Sequence, residues 1–321
     1  QSREYRVSPD QTLFAILERK FIRITNAETG KVVQVKAGMD AHEFAFSPDS
    51  QLLAIGDTGS RPGDNEGDGF TDVRIVDARS GQLVHRMPRD ESGWSALHPV
   101  FSPNGKILAI GSRNYSTRLY DVATGRLLHV LDKRMTQEIA FSPNGKVLAA
   151  SYVDGTLALW SVETGRMLRA TKSGNVELYS VDWNPAGDLL VSSGCGPLRK
   201  HADGKIRLTK GSIRIWDPRT LTMVKELQGL AWGIRVRFTQ DGKRIVSAGK
   251  TNSNKYQLNV WALRPLEPVV KSAQEEDVAA AYAWAKKKLA VTRSYMPPTV
   301  QGNFSLPLAR PIVSLELCNV S

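Results

Sequence analysis

The sequence predicts an all-β protein built from about seven copies of one four-stranded antiparallel sheet. Three observations carry this prediction. A Ser-Pro-Asp or Ser-Pro-Asn-Gly turn, preceded by an apolar residue, recurs every 39 to 55 residues. An alternating run that ends in a Thr-Gly type turn follows each of these turns. The 26 Gly and 16 Pro are frequent and regularly placed, as expected for a chain that reverses often.

The first motif combines the end of one strand, a tight turn and the start of the next strand. Its copies are VSPDQTLFAI, FSPDSQLLAI, FSPNGKILAI, FSPNGKVLAA, WNPAGDLLVS and FTQDGKRIVS, with YAWAKKKLAV as a weaker seventh. Proline presets one backbone angle of such a turn, and Gly or Asn accepts a positive φ. The apolar residues that anchor the copies are Val7, Phe46, Phe101, Phe141, Trp183, Phe238 and Tyr282.

The second motif alternates apolar and polar residues, as in Ile213-Arg214-Ile215-Trp216. A period of two predicts a strand with one buried face. Each unit therefore holds four short strands, and one such sheet cannot bury both of its faces. Packing seven of them radially, as a β-propeller, buries the faces and leaves only short edges.

The combination of Phe-Ser-Pro-Asn-Gly-Lys, Trp-Asp and Thr-Gly at this period resembles the WD-repeat β-propellers, in particular the divergent members common in bacteria. The resemblance runs from about residue 4 to residue 317. A literal Trp-Asp occurs at Trp216-Asp217, whereas Tyr120-Asp121, Val76-Asp77 and Trp160-Ser161 are variants. The Gly-His signature of the family is missing, and only Asp154 matches its loop aspartate. The resemblance implies a single-domain propeller that binds other proteins.

Seven blades are expected within this one domain of residues 1–321, and the last is the least regular. In one version, Phe304–Leu308 and Ile312–Leu317 are its final two strands, so that the ring closes within the chain. In the other, Ile312–Leu317 is its third strand and the fourth comes from sequence upstream of Gln1. The blades span about residues 4–38, 41–88, 95–132, 136–172, 176–228, 231–271 and 278–318.

Composition excludes several classes of protein. Hydrophobic residues make up 41%, too many for a disordered chain, and two cysteines cannot form a disulfide framework or a four-thiolate zinc site. No apolar run is long enough for a membrane-spanning helix. The chain begins at Gln1 without a visible signal peptide. A removed leader, or a place within a longer polypeptide, would each explain this start, and a monomer in the cytoplasm is the favoured setting.

The two longest units carry inserts at the same place, between the second and third strands. These inserts cover residues 57–72 and 194–211, and shorter ones cover 250–257 and 294–302. In a propeller this connection lies on the face that also carries the links between blades. All four inserts are therefore expected on one face, here called the insert face, which is the predicted binding surface. Neutral drift of tolerated loops is the alternative explanation.

The insert at 194–211 is basic and suits an acidic protein surface or phosphates. A solvated loop is the alternative, and the absence of interleaved aromatic residues weakens the case for nucleic acid. Its basic residues are Arg199, Lys200, Lys205, Arg207 and Lys210, beside His201 and a single acidic residue, Asp203.

The insert at 57–72 is acidic, and its spacing partly matches a calcium loop. The candidate ligands are Asp64, Glu66, Asp68 and Asp72, with Gly69 at the turn position. Position 12 of that template falls on Ile75 instead of a glutamate. A Gly/Asp-rich exposed turn without metal is therefore the favoured interpretation, and no cofactor is expected.

Two tryptophans, Trp94 and Trp232, fall in links between blades on the insert face. An exposed tryptophan close to Arg235 would anchor a protein partner, whereas a packed one would cap the ring of blades. The remaining tryptophans occupy repeat positions and are expected to pack between blades. They are Trp160, Trp183, Trp216, Trp261 and Trp284.

No catalytic motif is present: the sequence lacks a nucleophile elbow, a zinc-protease motif, a P-loop and a dinucleotide fingerprint. The five histidines are scattered among the blades, and few acidic or histidine residues are expected to converge on the channel. The sequence therefore favours a non-catalytic protein-interaction scaffold. Binding of polyanions or nucleic acid through the basic blades five to seven is the alternative, ahead of an enzyme or ligand sensor at the channel mouth.

Overall fold

A computed structural model describes residues 5–18, 21–36, 41–57, 73–87, 96–112, 116–196, 198–200, 206–208, 211–227, 232–250, 256–263 and 312–317. This part of the chain consists of strands and turns, arranged as six four-stranded antiparallel sheets and one small hairpin. The all-β fold class is confirmed. The seventh copy of the repeat, anchored by Tyr282, lies outside the described residues and stays a prediction.

The strands follow one another in each sheet from the innermost to the outermost. The first sheet contains β1 (Tyr5–Val7), β2 (Leu13–Glu18), β3 (Phe21–Asn26) and β4 (Val32–Lys36). The second contains β5 (Ala41–Phe46), β6 (Leu52–Asp57), β7 (Val73–Asp77) and β8 (Leu83–Met87). The third contains β9 (Ala96–Phe101), β10 (Ile107–Ser112), β11 (Arg118–Asp121) and β12 (Leu127–Val130).

The fourth sheet contains β13 (Thr136–Phe141), β14 (Val147–Tyr152), β15 (Thr156–Ser161) and β16 (Met167–Lys172). The fifth contains β17 (Glu177–Trp183), β18 (Leu190–Cys195), β21 (Ile213–Asp217) and β22 (Thr222–Leu227). A hairpin of β19 (Leu198–Lys200) and β20 (Ile206–Leu208) is inserted between β18 and β21. The sixth sheet contains β23 (Trp232–Phe238), β24 (Arg244–Lys250), β25 (Tyr256–Ala262) and β26 (Ile312–Leu317).

The position of β26 corrects one prediction. The sequence placed Ile312–Leu317 in the seventh blade, in either of two roles, and completed the sixth blade from residues that follow β25. In the structure β26 pairs with β25 in antiparallel register, from Tyr256 opposite Leu317 to Trp261 opposite Ile312. The segment expected at this place contains Pro265 and Pro268, which cannot donate to a strand ladder.

Five apolar cores lie between consecutive described sheets, so that the second to fifth sheets are buried on both faces by their neighbours. The core between the third and fourth sheets, for example, joins Leu119 to Leu148, Tyr152 and Trp160. The predicted packing role of the described repeat tryptophans is confirmed. The buried tryptophans are Trp160, Trp183, Trp216 and Trp261.

Hydrogen bonds hold these indole groups in place. The Nε1–H of Trp216 donates to Ser192 Oγ at 2.9 Å, and that of Trp261 donates to Ser247 Oγ at 3.0 Å. Trp160 donates to the hydroxyl of Tyr152 at 3.1 Å. Buried indoles need such acceptors, because an unpaired polar group costs free energy away from water.

The Ser-Pro turns have a common internal structure. In the third sheet, the Ser102 hydroxyl donates to the Asn104 side chain, and Ser102 Oγ accepts the N–H of Ile107 at 2.9 Å. Gly105 follows with a φ of 71°. This left-handed conformation explains the glycine of the motif, although Gln11 and Ser50 adopt it in the first two sheets.

These turns form one face of the molecule, here called the turn face, and they touch in sequence around it. The glycine of each later turn lies against the proline of the preceding sheet's turn: Gly105 against Pro48, Gly145 against Pro103, Gly187 against Pro143 and Gly242 against Pro185.

Two histidines tie neighbouring sheets together at their outer rims. His85 Nε2 donates to the carbonyl oxygen of Ala123 at 2.9 Å, and His129 Nε2 donates to that of Glu163 at 2.9 Å. In both cases a histidine on the outer strand of one sheet bonds the Thr-Gly turn of the next. His85 and His129 look scattered in the sequence, but they occupy equivalent positions in two copies of the repeat.

Candidate functional site: the central channel

Charged side chains converge on the channel that the innermost strands enclose. The residue three places before each repeat anchor is polar in five of the described sheets. These residues are Glu43, His98, Glu138, Ser180 and Arg235, from β5, β9, β13, β17 and β23. Four of the five directly follow a register shift in the strand ladder. Such bulges re-aim side chains, and here they accompany the side chains that enter the channel.

His98 occupies the corresponding position in β9, but its backbone conformation differs from that of the other four residues. The ladder between β9 and β10 shifts close to it, and its backbone has a φ of 64°. A positive φ is uncommon for a residue with a Cβ atom and costs conformational energy. The conformation accompanies a 2.6 Å contact between His98 Nδ1 and Glu43 Oε2 of the second sheet.

Glu138 is the centre of the cluster. Its side chain is only 6% exposed and forms ion pairs with Arg235 and Arg237. It also accepts hydrogen bonds from Ser180 Oγ at 2.6 Å and from the N–H of Val181 at 3.1 Å. Burial by itself would raise the pKa of the Glu138 carboxyl, but the charges of Arg237 and Arg235 hold this pKa at about 2.

Arg235 bridges two carboxylates from different sheets. One terminal nitrogen contacts Glu138, and the other donates to Glu43 Oε1 at 3.0 Å. Burial would raise the pKa of Glu43, yet the hydrogen bond and charge of His98, together with the charge of Arg235, lower it. The second, fourth and sixth sheets are thereby joined by one guanidinium group across the channel.

A second layer of channel residues lies two positions further along each strand. Its charged members are Arg6, Asp182 and Arg237. Asp182 Oδ2 accepts the N–H of Phe238 at 2.8 Å. Burial raises the pKa of the Asp182 carboxyl to about 6, although the charge of Arg237 opposes the shift. Asp182 therefore changes its protonation close to neutral pH.

A cavity of about 850 Å³ lies against these groups. Its wall includes Pro9, Pro48 and Pro103 from the Ser-Pro turns, so the cavity extends to the turn face. Phe46, Phe101 and Phe141 add aromatic surface. A volume of this size is typical of small-molecule pockets.

The channel corrects the expectation that few acidic or histidine residues converge there. Glu43, His98, Glu138 and Asp182 all line the cavity. Sequence reasoning missed them because each falls within an apolar strand of a different copy, where a single charge resembles a solvent-facing residue. Alignment of the copies at the position three before the anchor would have revealed one polar layer.

The predicted basic insert is only partly described. Its backbone forms the hairpin of β19 and β20, with Arg199 opposite Arg207 and Lys200 opposite Ile206. Lys205, Lys210, His201 and Asp203 lie outside the described residues. The hairpin is located between the second and third strands of its sheet, at the insert face.

The acidic insert and Trp94 lie outside the described residues, as does the insert at 294–302. The calcium hypothesis for Asp64, Glu66, Asp68 and Asp72 therefore stays a prediction. In the part of the chain that the structure does describe, no group of three or more acidic, histidine or cysteine side chains is arranged to hold a metal ion.

Trp232 begins β23, and Arg235 follows within the same strand. Arg235 is 42% exposed and directed to Glu43 and Glu138. The two residues were predicted to act together as a partner anchor, and Arg235 is also part of the channel cluster.

Among the described residues, no helix is long and apolar enough to cross a membrane.

Comparison with known proteins identifies the repeats. Residues 131–186 match the family model of the anaphase-promoting complex subunit 4 WD40 domain. Residues 165–217 match the model of the WD domain, G-beta repeat. The second range ends at Trp216-Asp217, which is the literal Trp-Asp pair. No curated protein matches the chain.

A solved structure shares the architecture. A chain in the structure titled "Crystal Structure of Mitotic Checkpoint Complex" superposes with a TM-score of 0.63 at 18% sequence identity. The alignment covers 81% of this chain and 73% of that chain. At this identity the similarity establishes the fold alone. Residues 131–217 are therefore similar to WD repeats, and the chain retains the turns and packed tryptophans of this repeat while it mostly replaces the Trp-Asp pair.

Proposed function

We propose that the protein is a non-catalytic scaffold that binds other proteins through its insert face. WD-repeat proteins generally mediate protein–protein interactions. The observation that carries the proposal for this chain is the added β19–β20 hairpin, which extends the insert face beyond the four-stranded repeat. Loops and extensions on a rigid scaffold are common sites of recognition.

The composition of the hairpin supports an acidic partner. Arg199 and Arg207 occupy directly paired positions, and like charges at paired positions disfavour a hairpin. An acidic surface bound there would offset this repulsion. Lys200 in the hairpin and Lys205 and Lys210 in the rest of the insert add positive charge, and Trp94 and Trp232 would contribute further contacts. Arg235, which the sequence assigned to the same surface, is instead bonded to Glu43 and Glu138 in the channel.

Charge reversal tests this proposal. The variant Lys200→Glu/Lys205→Glu/Arg207→Glu changes the hairpin, and Lys106→Glu/Lys146→Glu/Lys243→Glu is its matched control on exposed turn-face positions. Both change the net charge equally. In quantitative affinity purification, we expect the hairpin variant alone to lose partners. Equal recovery of the same partners by both variants would show that the hairpin is not the contact.

A second candidate is polyanion or nucleic-acid binding through the basic half of the chain. The formal net charge is +11, and residues 173–321 carry 21 basic and 12 acidic residues. If this function holds, retention on heparin will fall steeply between low and physiological salt. Retention that is absent at low salt rules it out, whereas loss from the control triple variant as well would indicate binding by net charge alone.

A further inference from the structure

The channel cluster exposes its positive groups and buries its negative ones. The side chains of Arg235 and Arg237 are 42% and 45% exposed. Those of Glu43 and Glu138 are 17% and 6% exposed. Although the numbers of acidic and basic groups are similar, the surface that they present to the cavity is therefore cationic.

Arg237 also retains unused hydrogen-bond donors. A guanidinium group has five N–H bonds. Nη1 of Arg237 donates to acceptors on Glu138, Ser180 and Val236, and Nη2 donates to Glu138. Within the described part of the chain, the Nε–H and one Nη2–H remain without an acceptor. A planar fork of this kind matches an oxyanion, which can accept two such bonds at once.

The wall beside these arginines is apolar. Phe46, Phe101 and Pro103 lie on the side of the cavity that reaches the turn face. A ligand that fills this space would place an apolar body against these side chains and its charged end against the arginines. The cavity volume of about 850 Å³ suits a small molecule.

We propose that the channel is a binding site for a small organic anion, with a carboxylate or phosphate held by Arg235 and Arg237 and an apolar body directed towards the turn face. This site is separate from the insert face, and the two proposals stand or fall independently. Insert-face binding uses the β19–β20 hairpin, whereas the anion site uses the innermost strands β5, β13 and β23.

Benzoate is a suitable probe because it joins a carboxylate to an apolar ring. Isothermal titration calorimetry with the full chain should detect benzoate at about millimolar affinity. Benzamide has nearly the same shape without the charge and should bind at least about tenfold more weakly. Equal binding of the two compounds would overturn the proposal, as would a failure of benzoate to bind.

Variants locate the site. Arg237→Lys retains a charge opposite Glu138, so the cluster stays paired, but it loses the planar fork. We expect benzoate affinity to fall about tenfold in this variant and to stay unchanged in Arg219→Lys, which alters an exposed ion pair with Asp217. Thermal denaturation checks that both variants fold. An unchanged affinity in folded Arg237→Lys would contradict the assignment.

Two further probes separate the possible sources of the anion. Inorganic phosphate that binds as tightly as benzoate would show that the apolar body contributes nothing, which contradicts the proposed ligand class. A decapeptide ending in phenylalanine is compared with N-acetylphenylalanine. Equal affinity supports a small-molecule site, whereas much tighter binding of the decapeptide would replace it with recognition of a protein C-terminus.

Discussion

Two sets of positions on the innermost strands differ in how much their residues vary from one copy of the repeat to the next. The anchor positions are apolar in each copy, and Phe46, Phe101 and Phe141 pack between sheets. The channel positions three residues earlier differ in each copy, as in Glu43, His98 and Arg235. The repeated anchor residues specify the architecture. At the channel positions the residue differs from copy to copy, and together these residues form a group of side chains that no single blade contains.

The anchor set and the cores beside it should be the most sensitive to truncation. Leu148 is fully buried between the third and fourth sheets. Leu148→Ala should lower the free energy of unfolding by about 3 kcal/mol, because it removes apolar contacts and leaves a cavity. Urea denaturation measures this change. Leu128→Ala, at an exposed position of β12, is the control and should have little effect.

Removal of the negative charge of Glu138 in the channel should lower the free energy of unfolding somewhat less. Glu138→Gln leaves Arg235 and Arg237 close together without their shared counter-charge. We expect a loss of about 2 kcal/mol, below the usual cost of breaking a buried ion pair because the arginines are partly exposed. Chemical denaturation gives the value, with exposed Glu28→Gln as the control.

A double variant tests whether this loss reflects unpaired charge. Glu138→Gln/Arg237→Met removes one cation together with the carboxylate and should recover part of the stability. If the double variant is less stable than the sum of the two single variants predicts, charge compensation is not the reason for the cluster.

The pH dependence of stability distinguishes the two buried carboxyls. Asp182 has a pKa of about 6 in the folded protein, above that of an unfolded aspartate, so the folded state holds its proton more tightly. Its contribution favours folding below pH 4 and is lost as the pH rises through about 6, a change of up to about 3 kcal/mol.

Glu138 acts in the opposite direction. Its pKa of about 2 means that its contribution is present above the pKa of an unfolded glutamate and is lost as the pH falls towards 2. Thermal denaturation between pH 4 and 8 isolates the Asp182 effect when the protein is compared with Asp182→Asn. Arg237 and Glu138, the charged groups that act on Asp182, are present in both proteins, so identical pH profiles would refute the assignment to Asp182.

The smallest effect is expected at the outer rim. His129→Ala removes one hydrogen bond to the carbonyl of Glu163 and should cost about 1 kcal/mol. His85→Ala removes the equivalent bond in the preceding sheet and should cost a similar amount. Because the sites are separate, the double variant should show the sum, as measured by urea denaturation. A marked difference between the two would mean that the rim contacts are not equivalent.

The features that recur in every copy of the repeat could be predicted from the sequence, whereas the contacts that differ between copies could not. The strands, the Ser-Pro turns and the packing of Trp160 and Trp216 follow from local patterns that several copies reinforce. The channel depends on contacts such as Glu43 with Arg235, which local periodicity does not contain. The pairing of Ile312–Leu317 with β25 was missed for the same reason, because a strand's partner is set by the geometry of the assembled sheets and the neighbouring prolines.

The ionic contact between Glu43 and Arg235 joins residues 192 positions apart in the sequence. In an open array of repeats, each unit touches only its neighbours, and its ends can unravel stepwise. Here the second, fourth and sixth sheets share one guanidinium group, so loss of any of them removes partners from the others. The channel thus makes unfolding more concerted, and its late, long-range closure is expected to slow folding.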